Sequence, residues 1–279
     1  HYQIQSLPIN SGVFCLKKDR FQDVVWIGTD GQGVYLYSNP LYSIKSMVLS
    51  NYTEKIERPV RAIYLDDERT FWVGTKGNGI LKIYDYEFDK NISDCRAEVL
   101  TTSNSALSSN AVYCFAKSHR NLLWIGDEEG LTYYSYREKR IKSIPIRIGN
   151  EDFKYIHGIY ETADSELWLA SVGMGVVKAR IAGTPDNPVI VDAQRYIIND
   201  GELGSNYFFT IYAENEANLL FGNKGYGVFR YNETTNGLEP VSTHKYENMT
   251  LNNILAISKD SSNNYLFGTS YGLIKYTSE

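Results

Sequence analysis

Short apolar runs alternate with polar turns along nearly the whole chain, in a pattern typical of β-strands joined by tight hairpins. One form of run recurs six times: aliphatic and aromatic residues that end in a glycine or an alanine. The residues that end these runs are Gly28, Gly74, Gly126, Ala170, Gly222 and Gly268. Their spacings are 46, 52, 44, 52 and 46 residues, a period that predicts an array of propeller blades.

The second repeat shows how one unit is expected to fold. Residues 60–65 and 71–75 form two apolar runs around a polar turn, and residues 80–84 form a third run after a glycine-rich turn. A fourth strand is predicted near residues 96–100, before the next repeat begins. Four short antiparallel strands are the composition of one propeller blade.

Glycine, asparagine and aspartate mark the turns of these repeats. Four repeats carry Gly-x-Gly between the second and third runs, where a tight hairpin needs positive φ. Asn110, Asn206 and Asn252 precede first runs, and we expect each side chain to bond its own backbone two residues further on. The turn acids Asp66 and Asp67 are expected to lie in a solvated turn rather than in a calcium site.

Together the repeats predict an all-β fold, a β-propeller of six four-stranded blades, with residues 1–279 forming a single domain. The repeats lie near residues 11–37, 60–84, 110–134, 156–179, 207–231 and 253–276. The last repeat lacks a fourth strand and residues 1–5 look like one, so the N-terminal strand is expected to close the last blade. Seven blades, or one part of a larger double propeller, are the alternatives.

Charge and hydropathy exclude several partners. The net charge is −5 and no dense Lys/Arg run appears, so nucleic acid is not an expected partner. No stretch approaches the roughly 18 consecutive apolar residues of a membrane span, so a membrane is expected only through missing parts of a parent chain. The chain begins at His1 without a signal peptide, which indicates a mature protein or, more readily, an excised domain.

Side chains suited to catalysis are few. None of the four histidines stands at a metal-ligand spacing, and no nucleophile or phosphate-binding motif appears, so no metal, cofactor or catalytic residue is predicted. Cys15 and Cys114 occupy the same place in two repeats where the others carry small residues, so both are expected to be packed core thiols. A propeller lyase or glycosidase is the enzyme alternative, and it would need paired acids or a histidine with a tyrosine.

Seven side chains are candidates for ligand binding. On the innermost strands, Arg61, Tyr113 and His157 follow the first apolar residue and would suit a glycan if they face the mouth of the channel. The candidates in turns are Lys76, Asn78, Lys224 and Tyr226. The alternatives are that strand alternation places the first three between blades, and that the others lie in ordinary solvated turns.

The repeat closely resembles the two-component regulator propeller repeats. The resemblance is carried by a polar turn, a Leu-Trp-Ile-Gly-Thr-like run, Gly-Leu and an aromatic residue, most clearly in residues 60–84 and 112–134. It implies the periplasmic sensor region of a hybrid two-component histidine kinase of glycan-degrading bacteria. In that family, propellers that recognise a ligand precede a β-sandwich, a membrane helix and a kinase. Repeats four and five depart from the pattern at Ala170 and Leu220.

The sequence therefore predicts a periplasmic, ligand-sensing propeller that responds to oligosaccharides or another small ligand and is not itself an enzyme. Ligand binding would favour one arrangement of the sensor over another. Adjacent sensor domains are expected partners, and a homodimer is a further option. A scaffold propeller without a small ligand, which serves dimerisation or domain contact, is the alternative.

Overall fold

The structure is a computed structural model that describes residues 4–20, 22–38, 43–47, 58–86, 95–199, 204–241 and 253–276. Within these ranges the chain forms 26 strands and no helix, so it is all-β. This part of the chain accordingly contains no helix long and apolar enough to cross a membrane. The chain divides into two compact units. The predicted single domain over residues 1–279 stays a prediction.

The first unit comprises His1–Asn104, Ser109–Val112 and Ala256–Glu279. Its first sheet contains β2 (Val13–Lys18), β3 (Val24–Thr29), β4 (Val34–Ser38) and β5 (Ser43–Met47). Its second sheet contains β6 (Val60–Leu65), β7 (Phe71–Thr75), β8 (Ile80–Ile83) and β9 (Ala97–Leu100). Its third sheet contains β24 (Ile254–Lys259), β25 (Tyr265–Thr269), β26 (Gly272–Tyr276) and β1 (Ile4–Ser6), except that β24 begins in the second unit.

The second unit comprises Ser105–Ser108 and Tyr113–Leu255. Its first sheet contains β10 (Val112–Lys117), β11 (Leu122–Asp127), β12 (Leu131–Ser135) and β13 (Arg140–Ile144), except that β10 begins in the first unit. A small hairpin of β14 (Arg147–Ile148) and β15 (Glu151–Asp152) follows. The remaining sheets contain β16 (Ile156–Glu161), β17 (Glu166–Ser171), β18 (Gly175–Thr184) and β19 (Asn187–Tyr196), then β20 (Phe208–Asn215), β21 (Asn218–Asn223), β22 (Gly227–Asn232) and β23 (Gly237–Pro240).

The sheet order matches the blade predicted from one repeat. In the five sheets from β2 to β23, neighbouring strands follow one another along the chain, and their pairing is antiparallel wherever the register is described. The fourth strand predicted near residues 96–100 is β9. The predicted fold class, a six-bladed β-propeller of four-stranded sheets, is confirmed.

The N-terminal strand completes the last blade, as the sequence predicts. β1 pairs antiparallel with β26, and Ile4 lies opposite Tyr276. After β1, the side chains of Leu7 and Ile9 are buried in an apolar cluster that also contains Leu273. The latch is therefore held both by a strand ladder and by apolar burial.

The recurring glycine permits close approach between neighbouring sheets. A Cβ on Gly126 would lie 2.5 Å from the carbonyl oxygen of Ile156 in the next blade and 2.5 Å from Cys114 Sγ. Gly28 is similarly crowded by Cys15 Sγ at 2.3 Å. Both thiols pack over these glycines, and burial raises the pKa of Cys15 to about 12 and raises the pKa of Cys114 further. The two cysteines are free, as expected for packed thiols.

The expectation of a solvated turn is wrong for Asp66. Its side chain is buried, and its Oδ2 accepts a hydrogen bond of 2.9 Å from Trp72 Nε1. Its Oδ1 accepts the backbone N–H groups of Glu68 and Thr70. The carboxylate closes its own turn and binds the indole of the next strand. Because both of its oxygens accept hydrogen bonds, it can be buried. Asp67, in contrast, is exposed, as expected.

The asparagines that precede the first strands act differently from the expected local turn. Asn206 Oδ1 accepts the N–H of Ile198, eight residues earlier, instead of bonding its own backbone two residues on. Its main-chain carbonyl accepts the N–H groups of Gly173 and Gly175, both of positive φ, from the preceding blade. The main-chain carbonyl of Asn110 likewise accepts the N–H groups of Gly77 and Gly79, and its Oδ1 accepts the N–H of Thr102, eight residues earlier. Asn252 lies outside the described residues.

Candidate functional site

At one edge of several blades, two loops come together. The residue after the second strand donates its N–H to the residue that leads into the first strand, from Val172 to Tyr155 at 3.1 Å and from Lys224 to Tyr207 at 3.0 Å. The same bond joins Lys76 to Pro59 in the first unit. The lead-in segments and the turns between second and third strands therefore share a surface.

On this face the second unit contains an open cavity of about 560 Å³. It is bounded by the β14–β15 hairpin, the turn between β17 and β18, and the end of β19. Its lining residues are Glu151, Asp152, Lys154, Gly173, Met174, Arg195, Ile197 and Asn206. The volume lies in the range of small-molecule sites, while most of the lining residues are charged or polar.

Ion pairs cover the charged wall of the cavity. Arg195 donates to Glu151 at 2.9 Å, which ties the hairpin to the outer strand of the neighbouring blade. Lys154 donates to Glu129 at 2.6 Å, and this bond raises the pKa of Lys154. Arg147 and Asp152 form a third pair across the hairpin at 2.8 Å, and this bond lowers the pKa of Asp152.

Apolar and aromatic surface lies beside these charges. Met174 Sδ accepts the N–H of Lys154 at 3.3 Å, so the thioether is held against the lead-in segment. Ile197 is an exposed large apolar residue of the lining. Tyr155 and Tyr207 directly follow lining residues, and both rings are exposed. Tyr155 also has a φ of 53°, a left-handed conformation that a non-glycine residue adopts at a cost in free energy.

The innermost-strand candidates contact their equivalents in neighbouring blades. The Arg61 guanidinium carbon lies 3.4 Å from the centroid of the Phe14 ring in the first unit. In the second unit the Tyr113 ring stacks on His157, with centroids 3.9 Å apart, and His157 meets Phe209 edge-on at 5.9 Å. Arg61 and His157 fall at register shifts between the first two strands. A β-bulge re-aims the side chain it carries, in keeping with the contacts of Arg61 with Phe14 and of His157 with Tyr113.

The turn candidates are exposed or partly exposed. Lys76 is exposed, and Tyr226 has 45% of its surface exposed. Lys224 lies over the Tyr207 ring, with its Nζ 4.9 Å from the centroid. The Asn78 N–H donates to Thr75 Oγ1 at 2.9 Å, and Asn78 Oδ1 is buried without a hydrogen-bond partner.

None of the seven sequence-predicted residues lines the cavity. Lys224 is linked to the cavity indirectly: it contacts the ring of Tyr207, and Tyr207 directly follows the lining residue Asn206. The ligand role of the seven residues stays a prediction. Sequence reasoning missed the hairpin and Arg195 because they lie outside the repeat, although Gly149-Asn150 between Ile148 and Glu151 is a two-residue hairpin signal.

Within the described ranges, no three His, Cys, Asp or Glu side chains are grouped so as to hold a metal ion. The charges of the cavity are instead opposite in sign and paired. What the arrangement offers chemically is hydrogen bonding, charge and apolar contact.

Comparison with known protein families finds no match. Among curated proteins, translation initiation factor 6 of Saccharolobus solfataricus is 31% identical over 140 residues, which are 46% of this chain and 57% of that factor. The chain thus spans under two thirds of that factor's length.

Solved structures are similar over the whole chain. The extracellular domain of the hybrid two-component system BT3049 of Bacteroides thetaiotaomicron has a TM-score of 0.65 and 21% identity, covering 98% of this chain and 34% of that one. The extracellular domain of BT4673, described as a one-component system of the same organism, has a TM-score of 0.60 and 18% identity, covering 100% and 40%. A gluconolactonase of Xanthomonas campestris has a TM-score of 0.70 and 10% identity, covering 99% and 89%.

These likenesses agree with the resemblance found in the sequence. The sensor-type structures are extracellular domains of signalling systems, and the fold they share with this chain is established. This chain spans about two fifths or less of the sensor chains' length.

Proposed function

We propose that this chain is an extracytoplasmic, ligand-sensing propeller of a two-component signalling receptor that responds to oligosaccharides. The observation that carries the proposal is the likeness of the whole chain to extracellular domains of hybrid two-component systems. Because the chain covers only part of those domains, it would act beside further sensor domains of a longer receptor.

The cavity of the second unit supports a sensing role. Saccharides are held by planar polar groups together with apolar or aromatic surface in a concave site. Arg195, Glu151 and Asp152 supply planar groups, while Met174 and Ile197 supply apolar surface. No covalent step is needed, since signalling requires only that the ligand bind one arrangement of the receptor more tightly than another.

A thermal-shift screen against plant and host oligosaccharides tests the proposal. A ligand that binds only the folded state raises the melting temperature in a concentration-dependent way. At one hundred times its Kd, such a ligand adds about 2.7 kcal/mol to the free energy of unfolding. We expect one glycan family to give such a shift. We also expect Arg61→Ala to keep the fold and weaken the response if the innermost-strand candidates contribute. The absence of a shift across the panel at millimolar concentration would contradict the proposal and favour a scaffold propeller that serves dimerisation or domain contact.

A lactonase activity is the second candidate, because the Xanthomonas campestris gluconolactonase is similar over 99% of this chain. Proton release from gluconolactone at constant pH measures it directly. Under the sensor proposal the rate with protein equals the rate of spontaneous hydrolysis. A protein-dependent rate that saturates with substrate would favour the enzyme.

A further inference from the structure

We propose that the cavity of the second unit takes an acidic saccharide, and that Arg195 and Lys154 bind its carboxylate. The inference rests on the proposed function, and it adds the position of the site and the chemical class of the ligand. Its basis is the difference in solvent exposure between the two cations of the cavity and their acidic partners.

In both ion pairs of the cavity the cation is the less exposed member. The Arg195 side chain is 29% exposed against 65% for Glu151, and Lys154 is 36% exposed against 49% for Glu129. Each cation is therefore less open to solvent than the acid that pairs with it, although Glu151 also lines the cavity. The hairpin pair is different: Arg147 is 70% exposed and lies outside the lining.

Exposed acids of this kind are exchangeable counter-ions. A solvent-exposed ion pair contributes only about 0–1 kcal/mol, so displacing Glu151 or Glu129 costs little. A ligand carboxylate regains the same hydrogen bonds, and a guanidinium can hold it by two parallel bonds. The ligand also brings other contacts that the glutamates do not make. An anionic ligand therefore gains more from this cavity than a neutral one of the same shape.

The remaining walls fit a sugar ring. A Cβ at Gly173 would meet no atom within 4 Å, so the backbone there borders open space that a ring can approach. Met174 and Ile197 offer apolar surface beside it. The Asn206 amide is occupied by both main-chain groups of Ile198, so it supports the wall and leaves recognition to the charged groups.

The test compares uronate-containing oligosaccharides with the same oligosaccharides after carboxyl reduction, by isothermal titration calorimetry. We expect at least one acidic member to bind at least tenfold more tightly than its reduced form, and its affinity to fall with added salt. Arg195→Gln should weaken binding of the acid at least tenfold and leave the reduced form within twofold. Arg195→Lys, which keeps the charge without the planar fork, should lie between.

Two further variants distinguish direct binding from a merely structural role, by the direction in which the affinity for the acidic ligand changes. Glu151→Gln removes the competing carboxylate, so it should strengthen binding of the acid severalfold while leaving the reduced form unchanged. Arg137→Gln is the matched control, since this exposed cation and its partner Asp186 both lie outside the lining, and it should change affinity less than twofold. The melting temperature of each variant without ligand shows whether it remains folded.

The outcomes separate the two proposals. If neutral oligosaccharides bind and acidic ones gain nothing, the inference is overturned while the sensing function stands. If simple hexuronates bind through Arg195 but no oligosaccharide shifts the melting temperature, the anion site stands and oligosaccharide sensing fails. If every acidic probe and its reduced form fail to bind, or if Glu151→Gln weakens binding of the acid, the inference is overturned.

Discussion

Trp72 Nε1 donates a hydrogen bond of 2.9 Å to Asp66 Oδ2, and both side chains are buried. The bond joins the turn after β6 to the second residue of β7, so one carboxylate fixes the turn and the strand that follows. The same arrangement joins Trp26 to Asp19 in the preceding blade. The tryptophan of the repeat is therefore both an apolar core residue and a donor with a dedicated partner.

Asp66→Ala should lower the free energy of unfolding by about 2–4 kcal/mol, because it leaves buried donors without an acceptor. Urea denaturation followed by tryptophan fluorescence measures the change. Asp67→Ala is the control: its exposed ion pair with Arg20 contributes about 1 kcal/mol or less. Equal effects of the two variants would contradict a structural role specific to Asp66.

Gly126→Ala should destabilise the protein by about 1–3 kcal/mol, because the added methyl group meets a main-chain oxygen of the next blade at 2.5 Å. Thermal denaturation measures the loss. Gly237→Ala is the matched control, since the nearest atom to its Cβ is 3.8 Å away, and it should stay within about 0.5 kcal/mol. A neutral Gly126→Ala would mean that the blades can separate without cost.

Lys17→Met should stabilise the fold at neutral pH. Lys17 Nζ lies 5.1 Å from the Tyr64 ring centroid beside Arg20, and burial followed by the Arg20 charge lowers the pKa of Lys17 to about 8. The unfolded state keeps a lysine of ordinary pKa near 10.4, so below pH 8 folding bears the cost of holding this partly buried ammonium beside Arg20. That cost fades as the pH rises from 8 to about 10.4.

The expected gain from Lys17→Met is about 1–3 kcal/mol at pH 7, and it should shrink towards pH 10. Denaturant titrations at pH 7 and pH 10 measure both values. Lys18→Met, at the exposed neighbouring position, is the control and should change the free energy of unfolding by no more than about 0.5 kcal/mol. A gain that is constant from pH 7 to pH 10 would assign the effect to apolar contact alone.

Leu7→Ala should cost about 2–5 kcal/mol, because Leu7 is buried in the apolar cluster beneath the N-terminal latch. Pro8→Ala, one residue further on and exposed, should be close to neutral. If the latch protects the edge of β26, Leu7→Ala should also promote self-association, which sedimentation velocity detects. A variant as stable and monomeric as the parent would contradict that role.

The blades could be predicted from the sequence because each repeat carries its structure locally. The apolar runs define strands, the Gly-x-Gly turns define hairpins with positive φ, and the missing fourth strand of the last repeat defines the latch. The local sequence does not predict which group a polar side chain will bind. Asp66 is buried because Trp72 reaches it, and Asn206 serves the preceding blade, so both depend on packing.

The cavity could not be predicted for a related reason. Its walls come from the β14–β15 hairpin and from the end of β19, whose length departs from the repeat. Comparing repeats directs attention to equivalent positions such as Arg61, Tyr113 and His157, and away from insertions. In the sequence, charged residues of an insertion are indistinguishable from solvated surface residues. Only the folded structure shows that Arg195 lies beside Glu151.

The pairing of β1 with β26 has a mechanical consequence. Ile4 and Tyr276, at the two outer ends of the described chain, are partners in one antiparallel ladder. A force that pulls both ends apart would open this ladder one bond pair at a time, as a zipper opens, instead of shearing all its bonds together. The last blade is therefore the point at which tension between flanking segments would first loosen the fold.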